Sequence, residues 1–454
     1  MSRPVRTEVK FGRATSVGMV SSVAGLLLLA AGVATLLLTA NALFPRRGPR
    51  MQIVSFAASM LTLELAAHQM VVQLGGAGVL VALGALGTWP GRVGLALSGI
   101  SWALLLYVIL EGRGTRAIIR DALAGFVHEL VGPRVPLLDV VLPLPIGRAE
   151  VRRIRDVVYT KIAGRRLKLD VYMPASPGSG RPAVMQIHGG AWVVGDKREQ
   201  GIPLCLHLAR CGWVAFNVNY RLSPGATFPD HLIDLKRALG WIRAHASEYG
   251  VDPNFVAVTG GSAGGHLAAL MALTQNEARY QPGFEDVDTS VQAAVPCYGV
   301  YDFTNRFGSF HPIFVKRLLQ AHVMKAFFEE EPEKFAEASP IDRVGPDAPP
   351  FFVIHGERDT LAPLSDARKF VGALRAVSKS PVLFAEIRGA QHAFDMLTSP
   401  RAVAVIEGVE RFLGEVRLRQ IATAGAGRAM QPTNELEVPG ARLEVATSAE
   451  SPEG

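Results

Sequence analysis

The stretch VAVTGGSAGGHLAAL, residues 256–270, sets four glycines and one serine between a β-branched apolar run and an alanine-rich one. The run ending at Thr259 reads as a buried strand, and the run from Ala263 reads as a helix. Gly260-Gly261-Ser262-Ala263-Gly264 then falls on the sharp turn between them. A G-x-S-x-G turn in that setting holds its serine exposed and strained, and residues without a Cβ at its two ends let strand and helix approach. The helix start lies beneath the hydroxyl and favours negative charge developing there. The stretch therefore predicts a nucleophilic Ser262.

Working outward, short apolar runs begin near residues 151, 167, 183, 213, 255, 291, 351 and 382. Helical patterns lie between several of them, at 231–245 and 365–377. Strands alternating with helices predict βαβ units and a mainly parallel sheet of eight strands covered by helices. The first two runs are separated only by residues 161–166, a hairpin spacing, so the sheet is expected to start antiparallel.

A serine hydroxyl is a weak nucleophile until a base takes its proton, and that base needs a carboxylate to orient it. On strand–turn–helix scaffolds of this kind the chain order is serine, acid, histidine. The run at 351–355 ends in Gly356-Glu357-Arg358-Asp359, and the run at 382–387 ends in Arg388-Gly389-Ala390-Gln391-His392. Asp359 is the expected acid, with Glu357 its competitor, and His392 the expected base. Upstream, the third run ends in His188-Gly189-Gly190-Ala191-Trp192. Backbone N–H groups of Gly189 and Gly190, with that of Ala263, are expected to form an oxyanion hole. His188 is read as fixing that loop, His266 as packing and His355 as buried. Trp192 either lines a substrate pocket or packs the loop. The long connection at 299–344 reads as a cap over the site or as a surface helix pair.

With these residues in place the sequence resembles the α/β-hydrolases, in the esterase/lipase branch related to hormone-sensitive lipase. HGGAW, NYRLSP, FPDHLIDLKRALGWI, SPIDRV, PPFFVIHGERDTLAP and GAQHAFD carry the resemblance alongside the serine turn, over roughly residues 151–418. The apolar N-terminus is similar to that of a membrane-anchored carboxylesterase subgroup. Ala191 stands where the branch usually has a third glycine, and Gly261 where it often has an aspartate. Arylformamidases and feruloyl-esterase-like enzymes share such variants. The resemblance implies ester hydrolysis through an acyl-enzyme, with no metal and no organic cofactor. Its alternatives are an arylformamidase-like amidase and a non-catalytic binding protein on the same fold.

The N-terminal third is of another kind. Residues 14–44 carry no charged side chain, and apolar stretches follow at 70–89 and 93–110. Each is of membrane-spanning length, about 20 residues. Residues 52–69 include Glu64 and His68 on one helix face, a pattern that suits an interfacial or bundle-facing helix. The formal charge of +7 is concentrated here: Arg3, Arg6, Lys10, Arg13, Arg46, Arg47, Arg50 and Arg92 face only Glu8 and Glu64 before residue 111. The basic excess thus flanks apolar segments, and clustered cations with stacking aromatics for nucleic acid are missing. Cys205, Cys211 and Cys297 have neither metal-ligand nor disulfide spacing and read as apolar thiols.

The expected organisation is a membrane region at 1–118 with about three helices, a linker at 119–150, a hydrolase domain at 151–418 and a disordered tail at 419–454. Partners are an ester, small or lipid, and the bilayer; the sequence sets neither the membrane side nor an oligomeric state. All chemistry-bearing parts follow residue 151 and all long apolar runs precede residue 111. The N-terminal region is therefore expected to be a tether separable from the site.

Overall fold

A computed structural model describes residues 11–46, 51–128, 134–143 and 149–429. Four helices open the chain: α1 (Phe11–Leu43), α2 (Gln52–Glu64), α3 (Ala66–Ala82) and α4 (Trp89–Arg113). Two stretches, Gly18–Leu43 and Trp89–Leu123, are long and apolar enough to cross a membrane. The α2–α3 pair also qualifies, but is bent by 84° at Leu65.

α1 and α4 run side by side in the same direction. Gly25 lies against Gly91 and Thr88, Gly32 against Gly94, and Thr39 Oγ1 is 2.9 Å from Ser101 Oγ. A Cβ on Gly94 would collide with the backbone of Leu28, and one on Gly32 with the carbonyl of Gly94. Small residues thus form a seam on which two backbones meet, as in membrane helix pairs. α3 runs the opposite way. Ala66 packs with Ala42, Leu105 and Val108, whereas Ala77 packs with Ala24, Leu28 and Ala85.

Sequence had placed helices at 70–89 and 93–110 with the break at Pro90. The break lies earlier, at residues 83–88, where Gly84 is left-handed and Thr88 Oγ1 caps the next helix by accepting from Gly91 N. Pro90 sits in the first turn of α4, where its missing N–H costs nothing.

The second half is one sheet with order β1-β2-β4-β3-β5-β6-β7-β8. Its strands are β1 (Val151–Ile162), β2 (Arg165–Pro174), β3 (Arg181–Ile187), β4 (Val214–Val218), β5 (Val251–Gly261), β6 (Ala294–Cys297), β7 (Phe351–Gly356) and β8 (Val382–Ile387). β1 pairs with β2, and β2 with β4, in antiparallel fashion; all later pairs are parallel. The central strands are buried on both faces, as their continuous apolar runs require.

Helices cover both sides: α5 (Thr115–Leu123), α6 (Leu137–Val141), α7 (Ile202–Arg210), α8 (Asp230–Ala244), α9 (Ala263–Leu273), α10 (Pro312–Phe314), α11 (Pro332–Glu337), α12 (Leu364–Val377) and α13 (Pro400–Ala429). α10 leads into a π-helical stretch, Val315–Met324. The expected linker is not free of the domain, because Ile119, Leu123 and Phe126 are buried in a cluster with Phe352, Val409 and Phe412. The expected tail begins instead as helix, since α13 continues to Ala429; residues 430–454, and the basic residues up to Lys10, lie outside the described residues. Cys205 and Cys297 are buried and Cys211 half-buried, all as free thiols.

The glycine seam is testable. Gly94→Leu is expected to destabilise by about 1–3 kcal/mol through overpacking, lowering the thermal midpoint of the detergent-solubilised protein by several degrees. Gly99→Leu, with nothing within 4 Å of a built Cβ, should leave that midpoint in place.

Candidate active site

The serine turn has the strain that its glycines anticipate. Ser262 sits at φ 58° and ψ −121°, a conformation L-residues rarely adopt, directly before α9. A Cβ on Gly264 would strike the carbonyl oxygen of Ile187 at the end of β3, and one on Gly260 would lie 2.5 Å from the carbonyl oxygen of Gly264. Gly261 has a separate reason. The space a side chain would take there is filled by the ring of Tyr298, which leaves β6, donates its hydroxyl to Asp395 and packs edge-on against His392 with ring centroids 4.7 Å apart.

Asp359 and His392, each just beyond a strand end, meet through a 2.7 Å contact between Oδ2 and Nδ1. The other carboxylate oxygen accepts from the backbone N–H groups of Leu361 and Ala362, both at 2.8 Å. His355 Nε2 lies 3.4 Å from Oδ2 and 2.8 Å from the carbonyl oxygen of Ala362. Burial acts to raise the Asp359 pKa, but His392 and His355 beside it outweigh that and hold the carboxyl below the usual range. Glu357 points elsewhere, accepting from Gly389 N at 3.0 Å. Of the two acids, the structure brings Asp359 to the imidazole.

Ser262 and His392 line one cavity of about 340 Å³, with Gly190, Ala191, Trp192, Tyr298, Val300, Phe314 and Leu318 among its walls. In the expected oxyanion loop, Gly189 N–H donates to Gln200 Oε1 at 2.7 Å, and Gly190 follows at φ 114°; Gly190 and Gln200 both line the cavity. Gln200, which no motif announces, is itself held by Asn217 Nδ2, a donor to the carbonyls of Lys197 and Gln200. Trp192 both lines the cavity and packs the loop, donating through Nε1 to His266 Nδ1 at 3.2 Å. His266 Nε2 is 2.7 Å from the Ala338 carbonyl. Burial pushes the His266 pKa down to about 3, so the ring is neutral and can accept and donate at once. His188 is stacked on Tyr220, its Nδ1 2.7 Å from the Gly189 carbonyl.

The N-terminal region is not a separate tether. Gln52, Ile53 and Phe56 of α2 line the same cavity, and Phe56 packs edge-on against His392 at 5.9 Å between centroids. Gln52 Nε2 donates to the Thr360 carbonyl, and Gln391 Nε2 to Ser59 Oγ at 3.4 Å. Glu111 at the end of α4 grips Arg358 with two contacts of 2.8 and 3.0 Å. Glu64 pairs with Arg401 rather than with His68, whose Nε2 is 3.0 Å from the Val141 carbonyl. In the connection read as a cap, Phe314 and Leu318 do reach the cavity.

Among the described residues one group has metal-ligand character, His207 and Cys211 on α7 with Glu410 on α13, their donor atoms within 4.8 Å of one another. Burial pushes the Cys211 thiol up to about 12 and the His207 imidazole down to about 4. None of the three lines the cavity.

The second half of the chain has the α/β-hydrolase fold: a truncated carbohydrate esterase from gut microbiota superposes with a TM-score of 0.50 at 23% identity, over 58% of this chain and 96% of that one. Within that domain, residues 169–374 match the BD-FAE family model. The chain is 53% identical over 249 residues to the probable carboxylic ester hydrolase LipM of Mycobacterium tuberculosis, covering 55% of this chain and 58% of that protein. It is 44% identical to esterase LipQ of the same organism, over 57% and 61%, and 28% identical to the isoprenylcysteine alpha-carbonyl methylesterase ICME of Arabidopsis thaliana, over 47% and 50%. The chain thus spans about three fifths or less of the length of these curated relatives.

Gln200→Leu removes the acceptor for a part-buried N–H and should cost about 1–3 kcal/mol. A urea midpoint unchanged from the parent protein would show that Gly189 finds another partner.

Proposed function

We propose that this protein is a serine ester hydrolase built into a membrane by three crossings. The observation that carries the reading is one apolar cavity onto which both Ser262 and His392 open, with the Asp359 carboxylate 2.7 Å behind the imidazole. Ser262 Oγ attacks the ester carbonyl while His392 Nε2 takes its proton; Asp359 fixes the tautomer that leaves Nε2 free to do so. The oxyanion is met by the N–H groups of Gly190 and Ala263, with Gly189 holding the loop through Gln200. His392 then returns the proton to the leaving alcohol, and water repeats the sequence on the acyl-enzyme. Esters rather than amides are favoured by the names of the similar proteins, each of them an ester hydrolase.

The crossings are α1, α3 and α4. Their helix directions put the C-terminal ends of α1 and α4 and the start of α3 on one side, with the hydrolase domain, and residue 18 on the other. Bent 84° from α3, α2 then lies along the surface facing the domain.

Ser262→Ala should abolish labelling by a fluorophosphonate and lower p-nitrophenyl ester turnover by about 10⁴-fold or more, with the fold intact. Labelling retained at another residue would overturn the assignment. Asp359→Asn should likewise cost about 10⁴-fold in kcat by stabilising the wrong tautomer, while Glu357→Gln should cost little. Comparable losses in the two variants would mean that both carboxylates serve the imidazole.

A further inference from the structure

Most of the cavity wall comes from the hydrolase domain, but one side is made by the first turns of α2, through Gln52, Ile53 and Phe56. Ile53 has two faces. It lines the cavity, yet it is 66% exposed, and its neighbour Val54 is 61% exposed. Val194 also lines the cavity and is 62% exposed. Exposed apolar side chains, Ile53 and Val194, thus stand in the cavity wall, and water leaves them without apolar cover. α2 follows directly on α1 and precedes α3, so its exposed apolar side chains sit where the membrane-spanning bundle meets the domain. A bilayer surface supplies the apolar cover these residues lack.

We infer that α2 is a specificity wall, and that the cavity takes the hydrocarbon chain of an ester that reaches Ser262 laterally from the membrane, past Ile53. This rests on the hydrolase reading above and adds the substrate class: an ester bearing a long, flexible apolar chain that is dissolved in the lipid phase. The polar contacts of α2 serve the same end. Gln52 to the Thr360 carbonyl and Gln391 to Ser59 hold the wall against the loops that carry Asp359 and His392. A chain seated against Phe56 is thereby placed beside the imidazole that Phe56 itself touches.

The test uses the full chain in phosphatidylcholine vesicles, comparing a hexadecanoyl ester dissolved in the bilayer with the acetyl ester of the same alcohol in water. Ile53→Trp narrows the mouth and Phe56→Ala removes the wall. Each is expected to lower the ratio of kcat/KM for the long ester to that for the short one by about tenfold or more, the scale of losing a few methylene contacts. A ratio within about twofold of the parent in both variants overturns the inference. Labelling of Ser262 by a small water-soluble fluorophosphonate is read in parallel. If the variants lose labelling while the parent keeps it, α2 supports the site rather than selecting its substrate, and the inference also fails. A parent that is neither labelled nor active on the acetyl ester would instead defeat the hydrolase reading.

Discussion

The carbonyl oxygen of Ile187 leaves no room for a side chain at Gly264, and that steric constraint organises the site. Because β3, β5 and α9 meet without side chains between them, the strand must turn sharply, and Ser262 is pushed into a positive-φ conformation at its crest. The same contact brings the end of β3 beside the serine, so the loop after Ile187 can offer its N–H groups to the same cavity. Strain at Ser262 persists because β3 and β6 hold the strand on either side, the latter through the bond from Ser262 N to the Cys297 carbonyl. A methyl group at either end of the turn would force these elements apart.

What the sequence made legible is local. All eight strands fall where short apolar runs predict them, and the residues expected at strand ends, Ser262, Asp359 and His392, lie where those strands deliver them. Each depends on its own strand and turn, and periodicity and glycine placement report those directly. The contribution of α2 and of the end of α4 was not legible for the opposite reason. Gln52, Ser59, Glu64 and Glu111 act through partners far along the chain, Thr360, Gln391, Arg401 and Arg358, and single polar residues on apolar helices announce no partner. Gln200 is equally silent in the sequence, since its role is one bond from its side chain to the backbone of Gly189. The boundary at 83–88 was misplaced because Pro90 reads as a breaker, although proline is equally at home in a first helical turn.

The polar contacts that α2 and the end of α4 make with the hydrolase domain include two with buried carboxylates. Glu64 and Arg401 are both buried, and so is the Glu111 carboxylate that meets Arg358. Such pairs add little net stability over apolar packing, but removing one partner strands a buried charge at a cost of about 3–5 kcal/mol. They therefore fix where α2 and α4 dock more than how tightly, and the docking site is the pair of loops that carry Asp359 and His392. Arg358 is the neighbour of Asp359 in sequence, so the end of α4 steadies the acid loop from outside while His355 steadies it from within.

The pairing of Glu64 with Arg401 also has a consequence in time. Chains are made from the N-terminus, so α2 exists long before the segment that neutralises it has been synthesised. Through that interval Glu64 is a carboxylate at the end of an apolar helix without its cation, and α2 has no loops to settle on. Only when Ser399 and Arg401 arrive at the head of α13 does Glu64 acquire its donors. α13, the last of the described helices, thus fastens the far end of a wall whose first turns are made at the start of the chain, and a nascent chain halted before α13 would carry the serine turn complete but Glu64 unpaired.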